Sequence, residues 1–322
     1  MMKKYIVLLL SALLSLSNLY AQDESELYKS VSLYAESLKL YEANKFHDAI
    51  QLITEAMNIF EKQVGSEDTI YAEMLSITAV YNDSLGNYSE AVRLATEALD
   101  IYNNLFDGEH LNDVIIPLLT KLAFYNSKLG NYNEAIEVSE EALELQEEWY
   151  GKENADYINI LNNLSYYYSK LENYDDAILY MQTVASIQSR LLGQNHPDYA
   201  KSCSNVAYYN SKLGDYEQAA IYETMALIIQ EELYGRDHPN CIPSLKSLAS
   251  YNSKSGDYDA AIMFAKEALD IQEKAFGKEN LDYATWLNNL ASYYSALGDY
   301  NEAMRLTTEA LAIREKIFEQ QQ

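Results

Sequence analysis

From Leu27 onward the apolar residues recur at spacings of three and four. Leu27, Val31, Tyr34, Leu38 and Tyr41 form one stripe, and Phe46, Ala49, Ile50, Ile53, Ala56, Met57 and Phe60 form a second. Residues three and four apart share one face of a helix, so the pattern predicts two amphipathic helices joined by a turn at Asn44, Lys45, Phe46. The turn then repeats: Gly86, Asn87, Tyr88; Gly130, Asn131, Tyr132; Glu172, Asn173, Tyr174; Gly214, Asp215, Tyr216; Gly256, Asp257, Tyr258; and Gly298, Asp299, Tyr300. Successive turns lie 42 residues apart, except for one interval of 44 whose two extra residues fall between Asp107 and Gly130, with a loop near Gly108 as their expected place. Self-similarity at a fixed period of roughly 20–50 residues marks stacked repeats. The expectation is an all-α solenoid of seven antiparallel helix hairpins over residues 22–322, with turns near 44, 86, 130, 172, 214, 256 and 298.

The residue types at repeated positions have physical reasons. Glycine at the end of a first helix takes the left-handed conformation that stops it. Ala49, Ala91, Ala135, Ala177, Ala219, Ala261 and Ala303, each three places after the turn's aromatic, let two helices approach closely, and Ala56, Ala98, Ala142, Ala226, Ala268 and Ala310 form a second small column. Pro197 and Pro239 stand where a first helical turn begins, the place that tolerates a missing N–H. The turn tyrosines, part of a total of 30, are expected to fill the gap between successive hairpins.

These residues resemble tetratricopeptide repeats. The 42-residue period, the His-Pro before a first helix, and Leu287, Asn288, Asn289, Leu290, Ala291 followed by Gly298, Asp299, Tyr300, Asn301, Glu302, Ala303 are similar to the variant found in kinesin light chain, here of a bacterial exported type. The resemblance implies a right-handed superhelix whose first helices line a concave face. The double Asn is complete only at Asn162, Asn163 and at Asn288, Asn289, and the His-Pro only at two of the seven repeats.

The 322 residues count repeats and not domains, because a solenoid grows by stacking. Residues 1–21 stand apart: Lys3 and Lys4 precede an apolar run over 5–16, and Ala21 ends the segment before Gln22 and Asp23. That is the layout of a Sec signal peptide cleaved after Ala21, too short for a comfortable membrane span, and no Cys follows to accept a lipid. The chain is therefore expected to be exported, periplasmic or secreted, with no membrane span after cleavage. Removing Lys3 and Lys4 takes the net charge from −26 to −28, a balance that repels nucleic acid and anionic lipid. An oxidising compartment permits a disulfide between Cys203 and Cys241, while Cys203 equally fits the core column of Leu161, Leu245 and Leu287.

The charge is unevenly spread. Residues 117–128, 159–170, 201–212 and 243–254, all on first helices, hold no Asp or Glu and carry Lys121, Lys128, Lys170, Lys201, Lys212, Lys246 and Lys254. Lys128, Lys170, Lys212 and Lys254 share one position in successive repeats. Such a row of ammonium groups suits the carboxylates of an acidic or C-terminal peptide. It equally suits pairing with acids of a neighbouring hairpin, or the negative end of the helix dipole. Asn163, Asn205 and Asn289 share another first-helix position, where the resemblance implies amides that bond a bound peptide's backbone. Phe124, Tyr166 and Tyr208 share a third, as an aromatic floor or as core.

No glycine-rich phosphate loop, paired-His zinc motif, calcium loop or nucleophile elbow is present. Of His47, His110, His196 and His238, the last three fall near inter-repeat loops, where helix capping is the expected role. Carboxylates on solvated helix faces make no catalytic pair without a cleft. The leading expectation is a non-enzymatic scaffold, with no cofactor and no metal, that binds an extended acidic peptide or protein segment. Its candidate residues are Lys121, Phe124, Lys128, Asn163, Tyr166, Lys170, Lys201, Asn205, Tyr208, Lys212, Lys246, Lys254 and Asn289. Two alternatives stand beside it. One is self-association, such as a homodimer, through a C-terminal end where Ala303, Leu306, Ala310, Ile313 and Ile317 leave apolar surface bare. The other is the sensory portion of a larger signalling assembly.

Overall fold

The structure, a computed structural model, describes residues 24–105 and 112–320. The expected signal peptide at 1–21, the insertion near Gly108 and His110 lie outside the described residues. Within them fourteen α-helices follow one another and no strand occurs: α1 (Glu24–Glu42), α2 (Phe46–Gln63), α3 (Thr69–Ser84), α4 (Tyr88–Leu105), α5 (Asn112–Leu129), α6 (Tyr132–Tyr150), α7 (Ala155–Lys170), α8 (Tyr174–Leu192), α9 (Pro197–Leu213), α10 (Tyr216–Tyr234), α11 (Ile242–Ser255), α12 (Tyr258–Phe276), α13 (Leu281–Ala296) and α14 (Tyr300–Gln320). A single 3-10 turn, Pro239–Cys241, leads into α11. The helices form consecutive pairs joined at 43–45, 85–87, 130–131, 171–173, 214–215, 256–257 and 297–299, an all-α solenoid. The chain divides into two compact units, Met1–Tyr167 and Tyr168–Gln322. In the first, α1 to α6 each pack on the next; in the second, α8 to α14 do.

The hairpin turn demands a left-handed residue, which glycine supplies at five sites, for example Gly214 with φ 83°. The two turns without glycine adopt the same conformation with Asn44 at φ 58° and Glu172 at φ 59°. Asn tolerates this region; Glu does so at a steric cost of about 1–2 kcal/mol. The alanine columns do what small residues permit: Ala49, Ala91, Ala135, Ala177, Ala219 and Ala261 are fully buried, as are the six alanines of the second column.

A column of tyrosines fills the core. Tyr81, Tyr125, Tyr167, Tyr209, Tyr251 and Tyr293 occupy one position of six successive first helices, and all are buried. The turn tyrosine of one hairpin meets this column in the next. Tyr132 lies 6.4 Å from Tyr167 between ring centroids, Tyr174 lies 6.3 Å from Tyr209, and Tyr216 packs against Tyr251. Burial pushes the Tyr81 hydroxyl up to about 12 and holds those of Tyr125, Tyr167, Tyr251 and Tyr293 above their usual range.

His196 and His238 cap their helices: each Nδ1 accepts a backbone N–H, of Asp198 and Asn240 respectively, at 3.2 Å. Cys203 and Cys241 are free thiols buried in separate core clusters, and burial pushes the Cys203 thiol up to about 11. On α14, Leu306 and Ala310 of the stripe expected to be bare are buried, because they pack against α13. The exposed large apolar residues of that helix are instead Tyr300 at its start and Met304, Leu311 and Phe318, the last three seven residues apart on another face.

Candidate functional site

The first helices present their candidate residues through a local geometry that recurs three times. Phe124, Tyr166 and Tyr208 are exposed, and each meets the buried tyrosine that follows it in sequence. The centroid distances are 6.1 Å for Phe124 with Tyr125, 5.8 Å for Tyr166 with Tyr167 and 5.6 Å for Tyr208 with Tyr209, with rings 63–66° apart. Successive residues on a helix point about 100° apart. When one ring enters the core, the next is directed along the edge of the core onto the surface, and the buried ring braces it there edge to face.

Lysines one turn further on lie over these rings. Lys128 Nζ stands 4.9 Å from the Phe124 centroid and Lys212 Nζ 5.1 Å from that of Tyr208, at the i,i+4 spacing that makes helix residues neighbours. Lys254 has Ser250 at the corresponding place and lies over Tyr216 at 5.3 Å. A cation over a ring at an exposed site gains about 0.5–1 kcal/mol and keeps its charge. Among the described residues Lys128, Lys201, Lys212 and Lys254 form no ion pair with an acid, and all four are exposed. Lys170 is exposed at the end of α7.

Two lysines differ. Lys246 is 14% exposed, bonds Asp282 at 2.6 Å and lies 5.0 Å from the Trp286 centroid, so it ties α11 to α13. The bond to Lys246 holds the Asp282 carboxyl below its usual value. Lys121 is exposed, yet desolvation lowers its pKa while Asp83 on α3 opposes the shift. Burial in turn raises the Asp83 carboxyl, against the pull of Lys121 and Lys128.

Asn163, Asn205 and Asn289 are half-buried. The Asn205 amide approaches Met181 Sδ at 3.8 Å, while the side-chain amides of Asn163 and Asn289 make no hydrogen bond among the described residues.

Between α9, α10 and α11 the surface dips into a cavity of about 380 Å³. Lys201, Tyr208 and Ser247 line it with two residues that the first-helix pattern does not reach, Glu223 and Gln230 of α10. Glu223 is 3% exposed. Its carboxyl accepts from Ser204 Oγ at 3.0 Å, and burial raises its pKa although the Ser204 and Ser244 hydroxyls oppose the shift. The signal for it is in the sequence. Its column reads Ile53, Ala95, Ser139, Met181, Glu223, Ala265, Thr307, with one acid among seven. Among the described residues no group of three or more His, Cys, Asp or Glu is placed to hold a metal, and no helix is long and apolar enough to cross a membrane.

A family model described as tetratricopeptide repeat matches residues 114–187, 224–274 and 253–316, together more than half of the chain, and a second model of that description matches 200–240. A model for soluble NSF attachment protein, SNAP, matches residues 11–146. No curated protein matches. Among solved structures, the putative kinesin light chain nearly identical TPR-like repeats from Podosopora anserina are 23% identical with a TM-score of 0.55, covering 65% of this chain and 98% of that one. BtubC (BKLC) from P. vanneervenii is 21% identical with a TM-score of 0.54, covering 72% and 90%. The C-terminal part of a TPR repeat-containing protein from Cytophaga hutchinsonii is 15% identical with a TM-score of 0.62, covering 87% and 95%. At these identities the likeness shows the fold.

Proposed function

Because this chain belongs to the tetratricopeptide repeat family, a fold of protein-interaction scaffolds, we propose that it is an exported, non-enzymatic scaffold binding an extended, acidic peptide or protein segment along its first helices. One observation carries the proposal. In a chain of net charge −26, Lys128, Lys201, Lys212 and Lys254 stand exposed on first helices and form no ion pair among the described residues. Over their aromatic rings the Lys128, Lys212 and Lys254 ammonium groups remain available to carboxylates, while Tyr166 and Tyr208 offer apolar contact and Asn163 and Asn289 offer unengaged amides. Charge sets preference and encounter rate; contact area and amides set how long the segment stays.

The test is binding of an acidic peptide library over a range of salt to the wild type and to a variant with Lys128, Lys170, Lys212 and Lys254 changed to Glu. The expected result is a loss of about tenfold or more at low salt together with the loss of salt dependence. Unchanged affinity removes the charge from the proposal. Export rests on residues 1–21, and an N-terminus at Gln22 on protein recovered from the exported fraction tests it.

The exposed stripe of Met304, Leu311 and Phe318 on α14 favours a second reading, self-association through that helix. Light scattering of the wild type and of Leu311→Glu separates the two: a dimer that the substitution dissolves supports association.

A further inference from the structure

The cavity between α9, α10 and α11 has a hydrogen-bond imbalance that the repeat itself exposes. One repeat earlier, Ser202 Oγ donates to Gln188 Oε1 at 2.7 Å, linking a second helix to the first helix after it. The corresponding residues here are Ser244 and Gln230. Ser244 makes no such bond to Gln230; its hydroxyl acts instead on the Glu223 carboxyl, and Gln230 Oε1 is buried without a partner. A serine hydroxyl has a single proton to give. With that proton not given to Gln230, one cavity wall presents two oxygen acceptors, one of them a buried acid. Lys201 lines the mouth without forming an ion pair with Glu223. The remaining walls include Tyr208, Tyr234 and Tyr251, whose ring faces attract cations.

We propose that this cavity receives the cationic head of one basic side chain, an ammonium or guanidinium, whose N–H groups bond the Glu223 carboxylate and Gln230 Oε1 among the tyrosine rings. A buried carboxylate without a counter-charge is costly, and a bound cation removes that cost at the moment of binding. The basic residue belongs to the segment that the scaffold binds, and in that respect the inference rests on the peptide-binding proposal. The segment is then acidic along the lysines and carries one basic anchor at hairpins 5 and 6.

The experiment uses the full chain and three small probes: N-acetyl-lysine N-methylamide, the arginine analogue and, as the neutral isostere, N-acetyl-norleucine N-methylamide. Binding is followed by NMR shifts of the α9–α11 residues in the wild type and in Glu223→Gln, which keeps shape and hydrogen bonding but not charge. The expected result is saturable shifts with the lysine or arginine probe, weakened about tenfold or more by Glu223→Gln, and none with the norleucine probe. Which of the two cationic probes binds more tightly assigns the head group. No shift with either one, equal binding of the norleucine probe, or full binding to Glu223→Gln each overturns the proposal. Acidic peptides are measured on the same two proteins. Peptide binding without probe binding removes the anchor and leaves the scaffold; probe binding without peptide binding does the reverse.

Discussion

Hairpins 2 and 3 and hairpins 5 and 6 each place one acid near the first-helix lysines, and they place it at different depths. In the first unit Asp83 is at the half-exposed surface, where its charge acts on Lys121 and Lys128. In the second unit Glu223 lies beneath the surface with the Ser204 and Ser244 hydroxyls at its carboxyl, and among the described residues the exposed Lys201 and Lys212 form no ion pair. The repeat frame is the same in both. What differs is whether the carboxyl cancels the surface field or is withdrawn from it, so depth sets the charge that a partner meets.

The largest expected effect tests what keeps Glu223 withdrawn. Ser204→Ala with Ser244→Ala strips the carboxyl of its Ser204 donor and of the Ser244 hydroxyl that favours its charged form, and a buried group left unsatisfied costs about 1–3 kcal/mol. Urea unfolding is expected to show a loss of that size. The same pair in a Glu223→Met background, which copies Met181 of hairpin 4, is expected to cost under about 1 kcal/mol, because no buried charge is left to satisfy. Equal losses in both backgrounds mean that the serines stabilise the hairpins independently of the acid.

A smaller effect follows from the raised pKa of Glu223. The groups facing it are Ser204, Ser244, Cys203 and Tyr251, with no cation among them. Burial lifts its folded-state pKa above the ordinary 4.5, so between these values the native state binds more protons than the unfolded chain. Stability contributed by this group therefore falls as pH rises through that window. Glu223→Gln lacks the titration, and its melting temperature is expected to exceed that of the wild type by a margin that grows from about pH 5 to about pH 8.5. A margin that shrinks as pH rises contradicts a raised pKa.

The fold was legible in the sequence because its determinants are local and repeated: left-handed turns, alanine columns, and an exposed aromatic beside a buried one. Even the turns lacking glycine followed the period, with Glu172 accepting strain to keep the register. The lysines were legible as a column but not as contacts. Lys246 reaches an acid 36 residues away, and its pairing with Asp282 shows only once α11 and α13 pack. Glu223 was visible as the odd member of its column, yet it sits on a second helix, a class rich in acids, so charge pattern alone does not single it out. Burial separates it from the solvated carboxylates around it.

The smallest expected effect bears on the comparison most directly. Asp83 occupies the position held by Ser127, Ser169, Ser211 and Ser253 in the following repeats, so Asp83→Ser gives hairpin 2 the residue of its neighbours. The half-exposed carboxylate acts on Lys121 and Lys128 through partly screened space, where charge interactions are worth about 0–1 kcal/mol. Affinity for an acidic peptide is accordingly expected to rise about two- to threefold at low salt, with the gain fading at about 0.5 M salt. Lys121 supplies the second readout. Asp83 now holds its pKa up against desolvation, so the substitution is expected to lower that pKa further, a shift measurable by NMR titration of the ammonium group. An unchanged affinity with an unchanged Lys121 titration means that Asp83 does not mask the first unit's lysines, and the contrast between the two faces then lies in their aromatic rings and not in the depth of their acids.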